Sequence, residues 1–234
     1  MYDKLGRQEN SQELKKFSIK LSSIKENAMA EDNRYKCPKI KLCGLSSASD
    51  IEAANALKPE FIGFVIWEKS KRNVGKNKAA ELKKMLDPQI KAVGVFVDED
   101  AEVVADLLNK NVIDIAQLHG SEDNSYIAKL RKLTEKPVIK AFQVKGSEDI
   151  VDIEKSVADY VLIDSGQGTG KAFDWKILEG VKRDFFLAGG LDPDNVAEAV
   201  RVVAPYAVDV SSGIETDGKK DRSKMERFVG NARN

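Results

Sequence analysis

Two side chains combine reactivity with a telling position. Cys43 closes the run KIKLC and is followed at once by Gly44, while Asp164 closes DYVLID and is followed by SGQGTGKAFDW. A thiolate abstracts protons once nearby positive charge lowers its pKa. A partly desolvated carboxyl group holds its proton near neutral pH and can donate it. One group that removes a proton and another that supplies one are the pair an isomerase requires. Each also has a plainer reading: a buried structural cysteine, and a helix cap or ion-pair carboxylate. Glycines cluster in the same kind of place. Gly189-Gly190 follow the run DFFLA, Ser211-Ser212-Gly213 follow YAVDV, and Gly168 and Gly170 lie just beyond Asp164. A phosphate needs several converging backbone N–H groups, and a Cβ would hold the backbone away. These loops are a candidate phosphate seat, with 168–170 closing over it. Ordinary strand-to-helix turns are the alternative.

The elements that must carry these residues are legible from residue 39 onward. Short apolar runs recur: 39–43, 61–67, 90–97, 112–119, 137–142, 159–164, 184–189 and 206–212. Most are β-branched or aromatic and apolar at nearly every residue, as in strands buried on both faces. Between them lie helical faces: Ile51, Ala54 and Leu57; Leu82, Met85 and Leu86; Val103, Val104 and Leu107; Ile127, Leu130 and Leu133; Val196, Ala199, Val200 and Val203. Asp50, Ser121 and Asp194 stand near helix starts, where short oxygen-bearing side chains satisfy free N–H groups. Strand–helix alternation eight times over means parallel strands with right-handed crossovers. Eight units of about 24 residues close an α/β (β/α)8 TIM barrel; an open doubly wound sheet is the main alternative. In such a barrel the site lies at the C-terminal ends of the strands, and Cys43, Asp164, His119, Asp209 and the glycine loops all fall there, with Lys69, Lys71 and Arg72 in the loop after the second strand.

Composition narrows the chemistry. Lys and Arg number 38 against 38 Asp and Glu, so the basic excess usual in a nucleic-acid binder is missing. Two Cys cannot build a disulfide framework, and with one His they leave too few soft ligands by themselves for a closed zinc site. No secretory h-region appears, and no apolar run is long enough to span a bilayer, so a cytoplasmic protein without a membrane partner is expected. Residues 1–36 read differently from the rest. Leu14, Phe17, Leu21, Ile24 and Ala28 recur at helical spacing in a polar background, giving an N-terminal helical extension of one amphipathic helix before a barrel domain at 37–234. A surface helix, an association helix and a frayed tail all fit it.

Several longer stretches resemble one family. KLCGL, GFVIWEKSKRNV, QLHGSE, LIDSGQGTGKAFDW, LAGGLDPDNV and DVSSGIE followed by GKKD are similar, in order, to phosphoribosylanthranilate isomerases of tryptophan biosynthesis, over about residues 39–231. The resemblance implies an Amadori rearrangement of N-(5-phosphoribosyl)anthranilate to 1-(2-carboxyphenylamino)-1-deoxyribulose 5-phosphate. It implies Asp164 as general acid and Cys43 as general base, with no cofactor or metal. Arg72 matches the family arginine that pairs with the anthranilate carboxylate. His119 matches a pocket histidine, with turn support as its other role, and Asp209 orients the site. The phosphate would sit on Gly168, Gly170, Gly189, Gly190, Ser211, Ser212 and Gly213. Leu42 stands where the family usually has isoleucine, and the extension before Lys39 is outside the family pattern. The resemblance leaves monomer and homodimer open, as it does association with the next enzyme of the pathway.

Three other functions compete. The sister isomerase of histidine biosynthesis carries Asp at the end of both the first and sixth strands, whereas Cys43 closes the first strand here. A Schiff-base aldolase would use Lys140 on the fifth strand. A non-catalytic phosphate sensor or scaffold would not need both Cys43 and Asp164.

Overall fold

Strands buried on both faces need helices outside them and packed side chains within, and this chain supplies both. The structure, a computed structural model, describes residues 37–164 and 175–234. In chain order the elements are β1 (Lys39–Cys43), α1 (Ala48–Leu57), β2 (Phe61–Val65), α2 (Gly75–Met85), β3 (Lys91–Phe96), α3 (Ala101–Asn109), β4 (Ile115–Leu118) and α4 (Asn124–Arg131). There follow β5 (Val138–Gln143), α5 (Ile150–Lys155), β6 (Tyr160–Asp164), a 3-10 turn (Trp175–Gly180), β7 (Phe185–Ala188), α6 (Val196–Val203) and β8 (Ala207–Val210). A small antiparallel hairpin of β9 (Glu215–Thr216) and β10 (Lys219–Lys220) leads into α7 (Arg222–Arg233). Each barrel strand pairs in parallel with the next, and β1 pairs with β8, Ile40 beside Val208. That pairing closes the barrel and removes the open-sheet alternative.

Period-two alternation sorts each strand. On β1, Ile40 and Leu42 are fully buried against the helix layer, so Lys41 and Cys43 face the axis. The inner core is a separate cluster that includes Phe61, Val93, Ile115, Ile139, Leu162 and Phe186. Phe61 and Phe186 meet with ring centroids 5.3 Å apart, and Tyr160 stacks on Tyr206 at 5.5 Å. Lys39 donates from Nζ to the Tyr206 hydroxyl at 2.6 Å. These side chains fill the N-terminal half of the barrel, so its open volume lies at the C-terminal mouth.

Local details refine the sequence reading. The run 112–119 yields only Ile115–Leu118, because the N–H groups of Val112 and Ile113 bond back to Leu107 and finish α3. Asp50 does serve the start of α1: Ser47 is the cap, and Asp50 accepts the N–H groups of Ser46 and Ser47 in a capping box. Ser121 is not a cap, since it donates to Asp98, and α4 starts on Asp123, which accepts from Tyr126 N–H. Near α6, Asp192 rather than Asp194 accepts the loop N–H groups. Met85 and Leu133, expected on apolar faces, are 44% and 39% exposed. Helix α7 was not anticipated, because its apolar residues Met225, Phe228, Val229 and Ala232 are sparse in a polar stretch; all four are buried. The expected helix in 1–36, and Gly168 and Gly170, lie outside the described residues. Among the described residues no helix is long and apolar enough to cross a membrane.

Candidate active site

The mouth of the barrel holds a cavity of about 650 Å³. Of the residues singled out from sequence, Cys43, Arg72, His119, Asp164, Gly189, Gly190, Asp209, Ser211 and Ser212 all line it. Gly213 does not. A Cβ there would run into the Leu191 carbonyl oxygen, so this glycine lets the β8 loop lie against the β7 loop.

Cys43 ends β1 with 7% of its surface exposed. The barrel makes room for its sulfur on the neighbouring strand: a Cβ at Gly63 would sit 2.6 Å from Cys43 Sγ. Beneath it is Lys41, two residues back on the same strand face and fully buried. Its ammonium donates to Asp209 Oδ1 at 3.0 Å. Burial pushes the Cys43 thiol up, and the Lys41 charge opposes that more than any other group. Burial works against the Lys41 ammonium, but Asp209 and Cys43 outweigh it and hold the group above its usual range.

Across the mouth, Asp164 ends β6, three strands round the barrel from β1. His119 Nε2 approaches Asp164 Oδ2 at 3.6 Å, a close approach rather than a hydrogen bond. The other ring nitrogen, Nδ1, lies 2.9 Å from the buried Gln117 amide nitrogen. Assigned from that contact, Nδ1 accepts and the imidazole proton sits on Nε2, facing Asp164.

Arg72 is positioned more firmly than its loop location predicts. It gives a two-pronged contact to Glu215, Nε to Oε1 at 2.6 Å and Nη2 to Oε2 at 2.7 Å. Lys220 donates to Glu215 Oε1 at 2.7 Å and to the Ser211 carbonyl at 2.9 Å. Burial opposes ionisation of Glu215, yet the Arg72 and Lys220 hydrogen bonds prevail and hold its carboxyl at about 2. The fork leaves Nη1 of Arg72 outside the Glu215 contact. Gly44, at φ +77°, gives the arginine stem its path, because a Cβ there would lie 2.7 Å from Arg72 Cδ. After β7, Gly189 and Gly190 take φ of 90° and 63°, a conformation that L side chains rarely adopt.

Lys140 does not enter this mouth. Ile139 and Ala141 belong to the inner core, so Lys140 points outward, where it bonds Gly120 O at 2.6 Å and Glu122 Oε2 at 3.1 Å. The Schiff-base alternative loses its nucleophile. Sequence reasoning placed Gln117 at the strand end but missed Lys41, Glu215 and Lys220. Lys41 was within reach, lying two residues before Cys43 and hence on its face. The other two depend on the β9–β10 hairpin folding back over the rim, which no local pattern announces.

A closed eight-stranded parallel barrel with ionisable groups and glycine turns gathered at one mouth defines a (β/α)8-barrel enzyme. Residues 40–231 match the family model described as N-(5'phosphoribosyl)anthranilate (PRA) isomerase. The chain belongs to that family. An N-(5'-phosphoribosyl)anthranilate isomerase from Endomicrobium trichonymphae is 44% identical over 197 residues, covering 82% of this chain and 96% of that one. A crystal structure of mutually generated monomers of the dimeric phosphoribosylanthranilate isomerase from Thermotoga maritima superposes with a TM-score of 0.74 at 33% identity, covering 83% of this chain and 98% of its own. A further crystal structure, of a phosphoribosylanthranilate isomerase in complex with reduced 1-(o-carboxyphenylamino)-1-deoxyribulose 5-phosphate, superposes with a TM-score of 0.73 at 32% identity, covering 83% and 98%.

Proposed function

We propose that this chain converts N-(5'-phosphoribosyl)anthranilate to 1-(2-carboxyphenylamino)-1-deoxyribulose 5-phosphate, the third step from chorismate to tryptophan, with Asp164 and Cys43 as its acid and base. The observation that carries this reading is that the two groups line one cavity from β1 and β6. Family membership supports the substrate.

Asp164 donates its proton to the furanose ring oxygen. The C1–O bond breaks as the anthranilate nitrogen lone pair forms a C1=N bond. Cys43 thiolate then takes the C2 proton, and the C–H electron pair moves into C1=C2 as the C1=N bond collapses to an enolamine. Tautomerisation moves the O2 proton to C1 and yields the ketone. His119 faces Asp164 with its Nε2 proton and steadies the carboxylate once it has given up its own. Arg72 offers its Nη1 side to the anthranilate carboxylate while Glu215 holds the rest of the guanidinium. Asp209 acts through Lys41. The phosphate is held by Gly168, Gly170, Gly189, Gly190, Ser211 and Ser212, with Gly213 shaping the loop behind them. Residues 37–234 are the catalytic barrel domain, and residues 1–36 an N-terminal extension in sequence that carries none of the proposed site residues. The protein works in the cytoplasm, as a monomer or homodimer, on a small phosphoribosyl substrate and without a nucleic-acid or membrane partner; association with the next enzyme of the pathway is compatible with this assignment.

Cys43→Ala and Asp164→Ala each lower kcat at least ~100-fold, the scale of a general acid–base group, and leave the far-ultraviolet circular dichroism unchanged. A well-folded Cys43→Ala protein with unaltered kcat would remove the thiol from the mechanism.

A further inference from the structure

A fully buried lysine inside a barrel is costly even when paired, because an ammonium loses its hydration there. Lys41 has 0% exposure, and its one ion pair among the described residues is to a single oxygen of Asp209 at 3.0 Å. It stands on the same strand face as Cys43, two residues before it, and its charge favours the thiolate more than that of any other group. We propose that Lys41 is the positioning residue that makes Cys43 a base: its buried ammonium, clamped by Asp209, is the counter-charge held against the thiolate. The inference rests on reading Cys43 as the base.

The groups around the thiol favour Lys41 over its neighbours for this task. From β8, Asp209 opposes ionisation of Cys43 while anchoring Lys41. From β10, Lys220 favours ionisation, but its charge is shared with Glu215 of β9 at 2.7 Å. Arg72, from the loop after β2, is likewise committed to Glu215 through two hydrogen bonds. On β2 the facing position is Gly63, which contributes no charge and lets Cys43 Sγ settle close to the strand. Lys41 is paired too, with Asp209, but it shares a strand face with Cys43 and is the cation that most favours the thiolate. Asp209 and Cys43 keep it protonated, so it serves as a fixed charge and not as a proton carrier.

The test measures thiol titration apart from catalysis. In the full chain carrying Cys37→Ser, the rate of iodoacetamide alkylation of Cys43 is followed against pH, with Lys41 and with Lys41→Met. The midpoint should rise by about one pH unit or more on loss of the charge. In the same variant kcat should fall near neutral pH and recover as pH is raised, with KM nearly unchanged, and Lys41→Arg should restore part of kcat. Should Lys41→Met fail to fold because Asp209 is left buried and unpaired, the Lys41→Met/Asp209→Asn pair removes both charges. It should still show an upward, smaller shift. An unmoved alkylation midpoint in the folded single or double variant overturns the proposal. If instead Cys43→Ala turns over normally, the base reading fails, while the alkylation midpoint still reports whether Lys41 acts on the thiol.

Discussion

At the scale of single residues, the site is a set of charges arranged in two groups. Lys41 and Asp209 sit under the thiol; Arg72, Glu215 and Lys220 form the rim beside it. Glu215 joins the rim charges together, so it can be tested by both stability and binding. Its carboxyl is held at about 2 against an ordinary 4.5. A depressed carboxylate stabilises the fold above its unfolded pKa, and that stability is lost as pH falls through the folded one. Urea midpoints of the native protein and Glu215→Gln should therefore differ most above pH 4.5 and converge as pH falls toward 2. At neutral pH the same variant should raise KM for phosphoribosylanthranilate by about tenfold with a smaller change in kcat, because the carboxylate contact proposed for Arg72 loses its support. Equal KM values for the two proteins would detach Glu215 from substrate binding. Cys43, Asp164 and Arg72 were legible in the sequence because each sits in a long motif at a strand end or in the loop after one. Glu215 lay in a quoted motif too, but nothing local says that a side chain beyond β8 reaches back to a loop beyond β2.

At the scale of elements, what positions the chemistry is strand alternation together with a few missing Cβ atoms. The eight apolar runs marked the eight strands, since continuous apolar character is what a two-sided burial demands. Their ends were read too long, because 112–113 finish a helix by hydrogen bonding to Leu107, and hydropathy does not distinguish the two uses of an apolar residue. Helix α7 escaped because four apolar residues in twelve give a weak period against so many charges. Gly63 shows how a strand serves its neighbour. Gly63→Ala places a methyl group 2.6 Å from Cys43 Sγ inside the barrel wall. Such overpacking should cost about 1–3 kcal/mol in denaturant stability and displace the sulfur. The expected outcome is a kcat lowered by about tenfold or more with KM less affected, since a small misplacement of a reacting group is felt in the rate. A Gly63→Ala protein with native stability and native kcat would show that the thiol does not depend on that space.

At the scale of the whole molecule, the balance of 38 basic and 38 acidic residues suits an enzyme that grips a small anionic substrate locally. The cations near the thiol are few and tied to carboxylates, so the field is concentrated in the mouth without any global excess. The family match starts at residue 40, which leaves the first 39 residues outside it. Deleting residues 1–34 should leave kcat and KM within about twofold, with any effect confined to stability or assembly, as for chain termini that carry no site residue. Light scattering of the two proteins then shows whether the extension affects oligomeric state, and a large loss of kcat would tie it to the site. The central claim is the reaction itself. Its most direct test follows anthranilate-ring fluorescence while micromolar full-length protein meets phosphoribosylanthranilate formed in situ. The account predicts loss of substrate fluorescence at a rate proportional to protein; no protein-dependent change would contradict it.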